Sequence, residues 1–219
     1  MERGDPAGDT IAAVATPPGR GGIGIVRVSG AKVADLARAV LGKLPPLRQA
    51  TLVIARDAQG RALDQGIALY YAAPSSYTGE DVLEFQGHGG HAVMNGVLAA
   101  FLDAGARLAE PGEYTRRAFL NDRLDLAQAE AVADLIDASS KEAARSAIRS
   151  LSGEFSRGIE AMVAALVELR ALAEAMLDFP EEEVDTLHRD DALERLGRVR
   201  ASLADILLKS RRGSLWRSR

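Results

Sequence analysis

Cysteine is absent from the 219 residues. That excludes a disulfide framework, a thiolate metal site and a cysteine nucleophile, and it fits a reducing compartment. Histidine is nearly as scarce. His88, His91 and His188 are the only three, so a multi-histidine metal centre would have to draw on two sites distant in sequence. No run approaches the roughly 20 uninterrupted apolar residues of a membrane span. The opening Met1-Glu2-Arg3-Gly4-Asp5 carries acids and no signal-like apolar run follows it, so no export signal is read. The pattern G-x-x-x-x-G-K-S/T occurs nowhere, so these residues hold no P-loop and no nucleotide-hydrolysing machinery of that type. The net charge of −4 makes the global field mildly repulsive to nucleic acid, and any such contact would rely on local basic patches.

What is present is the composition of a folded chain. Hydrophobic residues make up 47% and charged residues 26%, which excludes disorder and collagen-like repeats. The length suits one large domain or two small ones. The pattern changes near residue 122. Before it, strand-like and helix-like runs alternate: strands over 10–16, 23–28, 51–55, 67–71 and 82–86, and helices after Ser29, which can cap the first of them, after Gly90 and after Gly112. Asp57-Ala58-Gln59-Gly60 has the residues of a type I turn. Such a mixture indicates an α+β domain. After residue 122 the period is helical. Ser139 and Glu142 have capping-box spacing, and one apolar stripe suggests a single helix from about 140 to 178, weakened at Gly153 and Gly158 and stopped by Phe179-Pro180. A further helix follows around Leu193–Leu207. Two long helices with wide apolar stripes bury little against each other and call for a third partner.

Several residues are candidates for chemistry. Gly19-Arg20-Gly21-Gly22-Ile23-Gly24 matches G-x-G-x-x-G, but a strand follows where a dinucleotide site needs a helix. It reads as a flexible turn, or as a loop whose N–H groups and Arg20 meet an anion. Ser75-Ser76-Tyr77-Thr78-Gly79-Glu80-Asp81 reads as a capped polar turn. Glu84 lies inside an apolar strand with Leu83 and Phe85 on the other face. A carboxylate there is either ion-paired or a ligand group that accepts two hydrogen bonds from an N–C–N edge. Arg27 presents the same choice, a structural guanidinium or an anion clamp. Gly87-His88-Gly89-Gly90 reads as a tight loop, in which His88 is expected to make a turn hydrogen bond, and a metal at His88 and His91 has little support. Asn121-Asp122-Arg123-Leu124-Asp125 reads either as a helix cap by its Asn or Asp, or as a segment that puts Arg123 at the crevice between the two domains, where ligand sites often form. The basic tail of Lys209, Arg211, Arg212, Arg217 and Arg219 suits a helix C-terminus.

Four ordered motifs carry a family resemblance. They are the run from Ala15-Thr16-Pro17-Pro18-Gly19 to Arg27-Val28-Ser29-Gly30, then Tyr77-Thr78-Gly79-Glu80-Asp81-Val82-Leu83-Glu84 with Gln86-Gly87-His88-Gly89-Gly90, then Pro111-Gly112-Glu113-Tyr114-Thr115-Arg116-Arg117 through Asp122, then Asp125-Leu126-Ala127-Gln128-Ala129-Glu130-Ala131. Together they resemble the MnmE (TrmE) family of tRNA modification GTPases. The resemblance implies a tetrahydrofolate-binding, dimerising α+β domain over 1–122, similar to that of glycine-cleavage T-proteins. An all-α helical domain fragment follows over 123–219. The implied cofactor is 5-formyl- or methylene-tetrahydrofolate as one-carbon donor, with folate contacts at Arg27, Glu84 and Arg123. Many members are expected to carry Lys at the last position, and Arg keeps the charge but changes the donor geometry. No catalytic residue and no metal ligand is implied in this stretch. GTP, Mg and K belong to the GTPase domain expected to follow Arg212-Gly213-Ser214-Leu215. The implied partners are a second copy, the FAD-binding protein MnmG and tRNA, in the cytoplasm and without a membrane. The implied reaction adds a carboxymethylaminomethyl-type group to C5 of the wobble uridine. A chain ending at Arg219 is expected not to hydrolyse GTP; the alternative is a non-catalytic folate-binding and dimerisation module of a truncated product.

Overall fold

Strand alternation and helical spacing organise the two units into which a computed structural model divides the chain, Met1–Leu124 and Asp125–Arg219. The structure describes residues 8–178 and 185–217, with side chains from 8 to 176 and from 190 to 208. In the first unit the strands are β1 (Ile11–Val14), β2 (Gly21–Ser29), β3 (Thr51–Arg56), β4 (Ala62–Tyr71), β5 (Val82–Gly89) and β6 (Arg107–Leu108). They form one sheet in the order β3-β4-β5-β2-β1-β6, antiparallel except for the β1–β6 pair.

Helices α1 (Val33–Leu41) and α2 (His91–Asp103) cover one face of this sheet. Val33, Leu36, Ala37, Val40 and Leu41 fall at helical spacing and are all buried; Gly42, in the left-handed region at φ 74°, ends the helix. From α2 come Met94, Val97, Ala100 and Phe101. The strands answer with alternate residues: Val26 and Val28, Leu83 and Phe85, Val53 and Ala55. Phe85 is fully buried, a gain of about 1.5–3 kcal/mol. Its ring lies over Gly66 and Gly87, where an added Cβ would come within 2.9 and 2.6 Å of ring atoms. The residues between, Arg27, Glu84, Gln86 and Ile67, point to the other face. There α3 (Glu113–Leu120) places the Tyr114 ring beside Arg27.

Several expectations are corrected here. Gly87-His88-Gly89 is strand, not loop: Gly21 and Gly24 stand opposite, and a Cβ on Gly89 would come within 2.6 Å of the Gly21 carbonyl, so glycine lets the two backbones pair. β4 begins five residues before Ile67 for the same reason of pairing, with β3. Ser29 does not cap α1. Its hydroxyl is buried against Thr78 and Glu80, and the Lys32 N–H is taken by Thr10 Oγ1. The Asp57–Gly60 turn forms as expected, with Gly60 N–H on the Asp57 carbonyl.

The second unit contains α4 (Leu126–Ile136), α5 (Lys141–Leu151), α6 (Glu154–Asp178) and α7 (Asp185–Arg217). Its first two helices pair, as do its last two. The single long helix expected from 140 is in fact two, because Gly153 takes φ 78°. The cap of α5 is Ser140, one residue beyond Ser139. α5 also touches both of the last two helices, yet Val163, Leu166, Val167, Leu196, Leu203 and Leu207 remain exposed. The stop at Phe179-Pro180 and the side chains of the basic tail lie outside the described residues.

Asp125 starts α4 with a capping box: its carboxylate accepts from Gln128 N–H, and the Gln128 side chain accepts from Asp125 N–H. Asp125→Ala should cost the second unit about 1 kcal/mol, and Asp125→Ser should recover most of it. Urea unfolding followed by helical circular dichroism checks this, and equal midpoints for all three proteins would refute it.

Candidate functional site

Arg27 on β2 and Glu84 on β5 are direct cross-strand partners. Alternation sends both side chains away from the helices. There the guanidinium donates from Nε to the carboxylate oxygen Oε1 at 2.8 Å, and Nη2 lies 2.7 Å from the same oxygen as an ion-pair contact. The ion-pair alternative is therefore what the structure shows for both residues. Two groups stay open: Glu84 Oε2 and Arg27 Nη1 make no hydrogen bond among the described residues. The pair is not sealed, since 28% of the Arg27 and 15% of the Glu84 side chain reach solvent.

Two tyrosines hold the arginine. The Tyr77 and Tyr114 ring centroids each lie 5.6 Å from its Cζ, within cation–π range. Tyr114 Oη donates to the Arg27 carbonyl at 2.7 Å, and burial pushes the phenol above its ordinary value despite the neighbouring Arg27 charge. Tyr77 belongs to the polar loop 74–81, read from sequence only as a capped turn. The loop is fastened to α3 and the residue following it. Tyr77 Oη pairs with Thr115 Oγ1 at 2.9 Å, Asn121 Nδ2 donates to the Thr78 carbonyl at 2.7 Å, and Arg117 Nη1 donates to Glu80 at 3.0 Å.

Arg123 lies in the first unit and touches the same loop. Its methylenes pass Gly79, whose φ of 78° and bare Cα admit them; a Cβ there would be 3.2 Å from Arg123 Cγ. Its side chain is exposed and makes no hydrogen bond or ion pair to Arg27, Glu84 or any other described residue. The structure thus brings Arg27 and Glu84 together and sets Arg123 against Gly79 of the loop that carries Tyr77.

The other candidates resolve differently. His88 is tied to Asp64 across the β4–β5 pair, by its N–H to Oδ2 and its Nδ1 to Oδ1, both at 2.7 Å. Among the described residues no three His, Asp or Glu side chains are placed to hold a metal ion. The glycine run is the start of β2, with a bulge between Gly21 and Gly24 and no helix opening at its third glycine. Two concavities, of about 330 Å³ beside β3 and about 450 Å³ between α6 and α7, are lined by none of Arg27, Glu84 and Arg123. The pair sits on an open sheet face, where Ile23, Leu52, Ile54 and Ile67 are also exposed.

Beneath the loop lies a charged cluster that reading the chain residue by residue does not reveal. Glu113 is 1% exposed and Arg117 is 5% exposed. Arg107 forks onto Glu113 at 2.6 and 3.1 Å and reaches Asp9 at 2.7 Å. Arg117 bonds Glu113 at 3.0 Å, Glu80 and Asp9. Burial alone would raise the Glu113 carboxyl. The hydrogen bonds from Arg107, from the Glu110 N–H and from Arg117 outweigh it and hold the group at about 2. The one clue in the sequence is the four-residue spacing of Glu113 and Arg117 on α3.

Comparison with known proteins agrees with this division. Residues 10–123 match the family model described as the GTP-binding protein TrmE N-terminus, and residues 126–218 match the MnmE helical domain. A protein named tRNA modification GTPase MnmE from Nitrosomonas europaea is 62% identical over 207 residues, which is 94% of this chain and 46% of that protein. The protein of the same name from Thiobacillus denitrificans is 60% identical over 97% of this chain and 48% of its own length. That of Neisseria meningitidis serogroup C (strain 053442) is 56% identical over 95% and 46%. The chain spans about half the length of the curated relatives it matches.

Proposed function

The chain belongs to the MnmE (TrmE) family, and from that membership we propose that it is the folate-binding, dimerising portion of a tRNA-modifying GTPase that acts at C5 of the wobble uridine. The observation that carries the reading is the half-open Arg27–Glu84 pair. It falls on two of the positions where the family resemblance puts folate contacts, and one carboxylate oxygen is left without a donor. No buried side-chain polar atom among the described residues lacks a partner, so Glu84 Oε2 reaches solvent, where an incoming donor can replace water. A pterin edge with adjacent N–H groups is the complementary donor. In this reading Arg27 fixes the carboxylate rather than clamping an anion, because its Nε already donates to Oε1 and its Nη2 is ion-paired with the same oxygen. Arg123, with no partner of its own, is the cation left for the anionic tail. The folate supplies the one-carbon unit.

The exposed isoleucines and leucine of the same sheet face favour a second copy of the chain as its cover. The further chemistry, with GTP, Mg, K, the FAD-binding partner MnmG and tRNA, belongs to the longer protein acting in the cytoplasm. Among the described residues no helix is long and apolar enough to cross a membrane.

The test is titration of the purified chain with 5-formyl-tetrahydrofolate by calorimetry. Glu84→Gln keeps the shape but removes the charge, and should weaken binding by about 1–3 kcal/mol. An unchanged dissociation constant would remove Glu84 from the site, and no binding to the unsubstituted chain would remove the reading.

A further inference from the structure

Four tyrosines occur in 219 residues, and two of them flank a single arginine. They are not equivalent. Tyr114 is half-buried with its hydroxyl on the Arg27 backbone. Tyr77 is 38% exposed, on a loop, with its hydroxyl held by Thr115. An aromatic ring that only served to cover Arg27 would gain more by folding its open side away from water. Instead the loop presents it. Asn121 on the Thr78 carbonyl and Arg117 on Glu80 fix the backbone just beyond it, and Thr115 fixes the far tip of the ring. The entropy of ordering the ring is therefore spent before any ligand arrives.

Beside it stands Glu84, which shares Arg27 as a neighbour and has Oε2 unbonded. A fixed aromatic face next to an acceptor without a donor is how a planar nitrogen heterocycle is recognised, with the N–H edge on the carboxylate and the π-face on the ring. We propose that Tyr77 is a stacking, specificity-determining residue of the Arg27–Glu84 site and that Thr115 on α3 is the residue that positions it. This rests on the folate reading and deepens it by naming the partner of the pterin ring and the element that holds that partner.

The experiment is a mutant cycle on folate affinity in the whole chain, with 5-formyl-tetrahydrofolate as the probe and thermal unfolding alongside. Tyr77→Ala should weaken binding about 10–100-fold through loss of the stacking face. Tyr77→Phe and Thr115→Val each remove the same hydrogen bond. Each should cost about 3–10-fold, and the double variant should be no worse than either. Thr115→Ser, which keeps the hydroxyl, should restore wild-type affinity. A residue that merely supported the fold would lower the unfolding temperature and leave affinity among the folded variants alone. The two conservative variants keep the cycle readable even where Tyr77→Ala does not fold. Wild-type affinity in Tyr77→Ala, or independent additive losses in the cycle, would overturn the proposal while Glu84→Gln still reports on the site itself. Absence of folate binding in the unsubstituted chain would overturn both.

Discussion

Replacing Arg117 by methionine should destabilise the first unit by about 3–5 kcal/mol, the range for removing one partner from a buried ionic cluster. The side chain is 6% exposed and touches three carboxylates, those of Asp9, Glu80 and Glu113. Methionine fills similar space, so the loss is electrostatic rather than a cavity. Glu113 would keep Arg107, but Glu80 would keep only the Ser29 hydroxyl as a side-chain donor. The cost is not that of an ordinary ion pair. Arg61 on Asp57 is a fair comparison, with 75% of the arginine exposed, and Arg61→Ala should lie within about 1 kcal/mol of wild type. Urea unfolding of both variants separates the two cases. Equal small losses would mean that water enters the cluster and that burial of Arg117 has little energetic content. The substitution should also loosen the loop that carries Tyr77, since Glu80 is one of its three ties to the segment 113–121.

How much of this was legible follows from what each residue depends on. The core strands and α1 are local facts: alternation at Val26–Arg27–Val28 and spacing over Val33–Leu41 put the right residues inside without knowledge of neighbours. Arg27 and Glu84 stood out because a charge in an apolar strand demands a partner, and each proved to be the other's. The expected loop at Gly87–Gly89 failed because its meaning is non-local. The same glycines that suggest a turn permit close pairing once Gly21 and Gly24 are opposite. β6 is two residues long and is held by β1 alone, so no periodicity could announce it. The break at Gly153 was visible as a weak point, but a continuous apolar stripe on both sides hid it. Tyr77 and Thr115 are 38 residues apart and meet only through tertiary structure. The charged cluster joins Asp9 to Arg117 across 108 residues, beyond any pattern a linear reading can use.

Acid should unfold the first unit through that cluster, and the direction follows from Glu113. Its carboxyl titrates at about 2 in the folded protein against an ordinary 4.5, since the bonds from Arg107, Glu110 N–H and Arg117 more than offset burial. As pH falls through the ordinary value, the unfolded chain takes up a proton that the folded chain refuses. Stability therefore falls with falling pH. The contribution is whole above about pH 5 and gone near pH 2, and it amounts to about 3 kcal/mol for this group. Asp9 adds in the same direction: burial raises its carboxyl, but hydrogen bonds and charge from Arg107 and Arg117 outweigh it and bring the group below its ordinary value. The measurement is urea unfolding at intervals between pH 6 and pH 2, for wild type and for Glu113→Gln. Glutamine cannot titrate, so the variant should start lower at pH 6, by the loss of a buried charged partner, and then slope less steeply. The two curves should draw together toward pH 2, where the wild-type carboxylate is itself taking up its proton. Parallel curves would mean that the acid sensitivity lies in other groups and that Glu113 contributes packing alone.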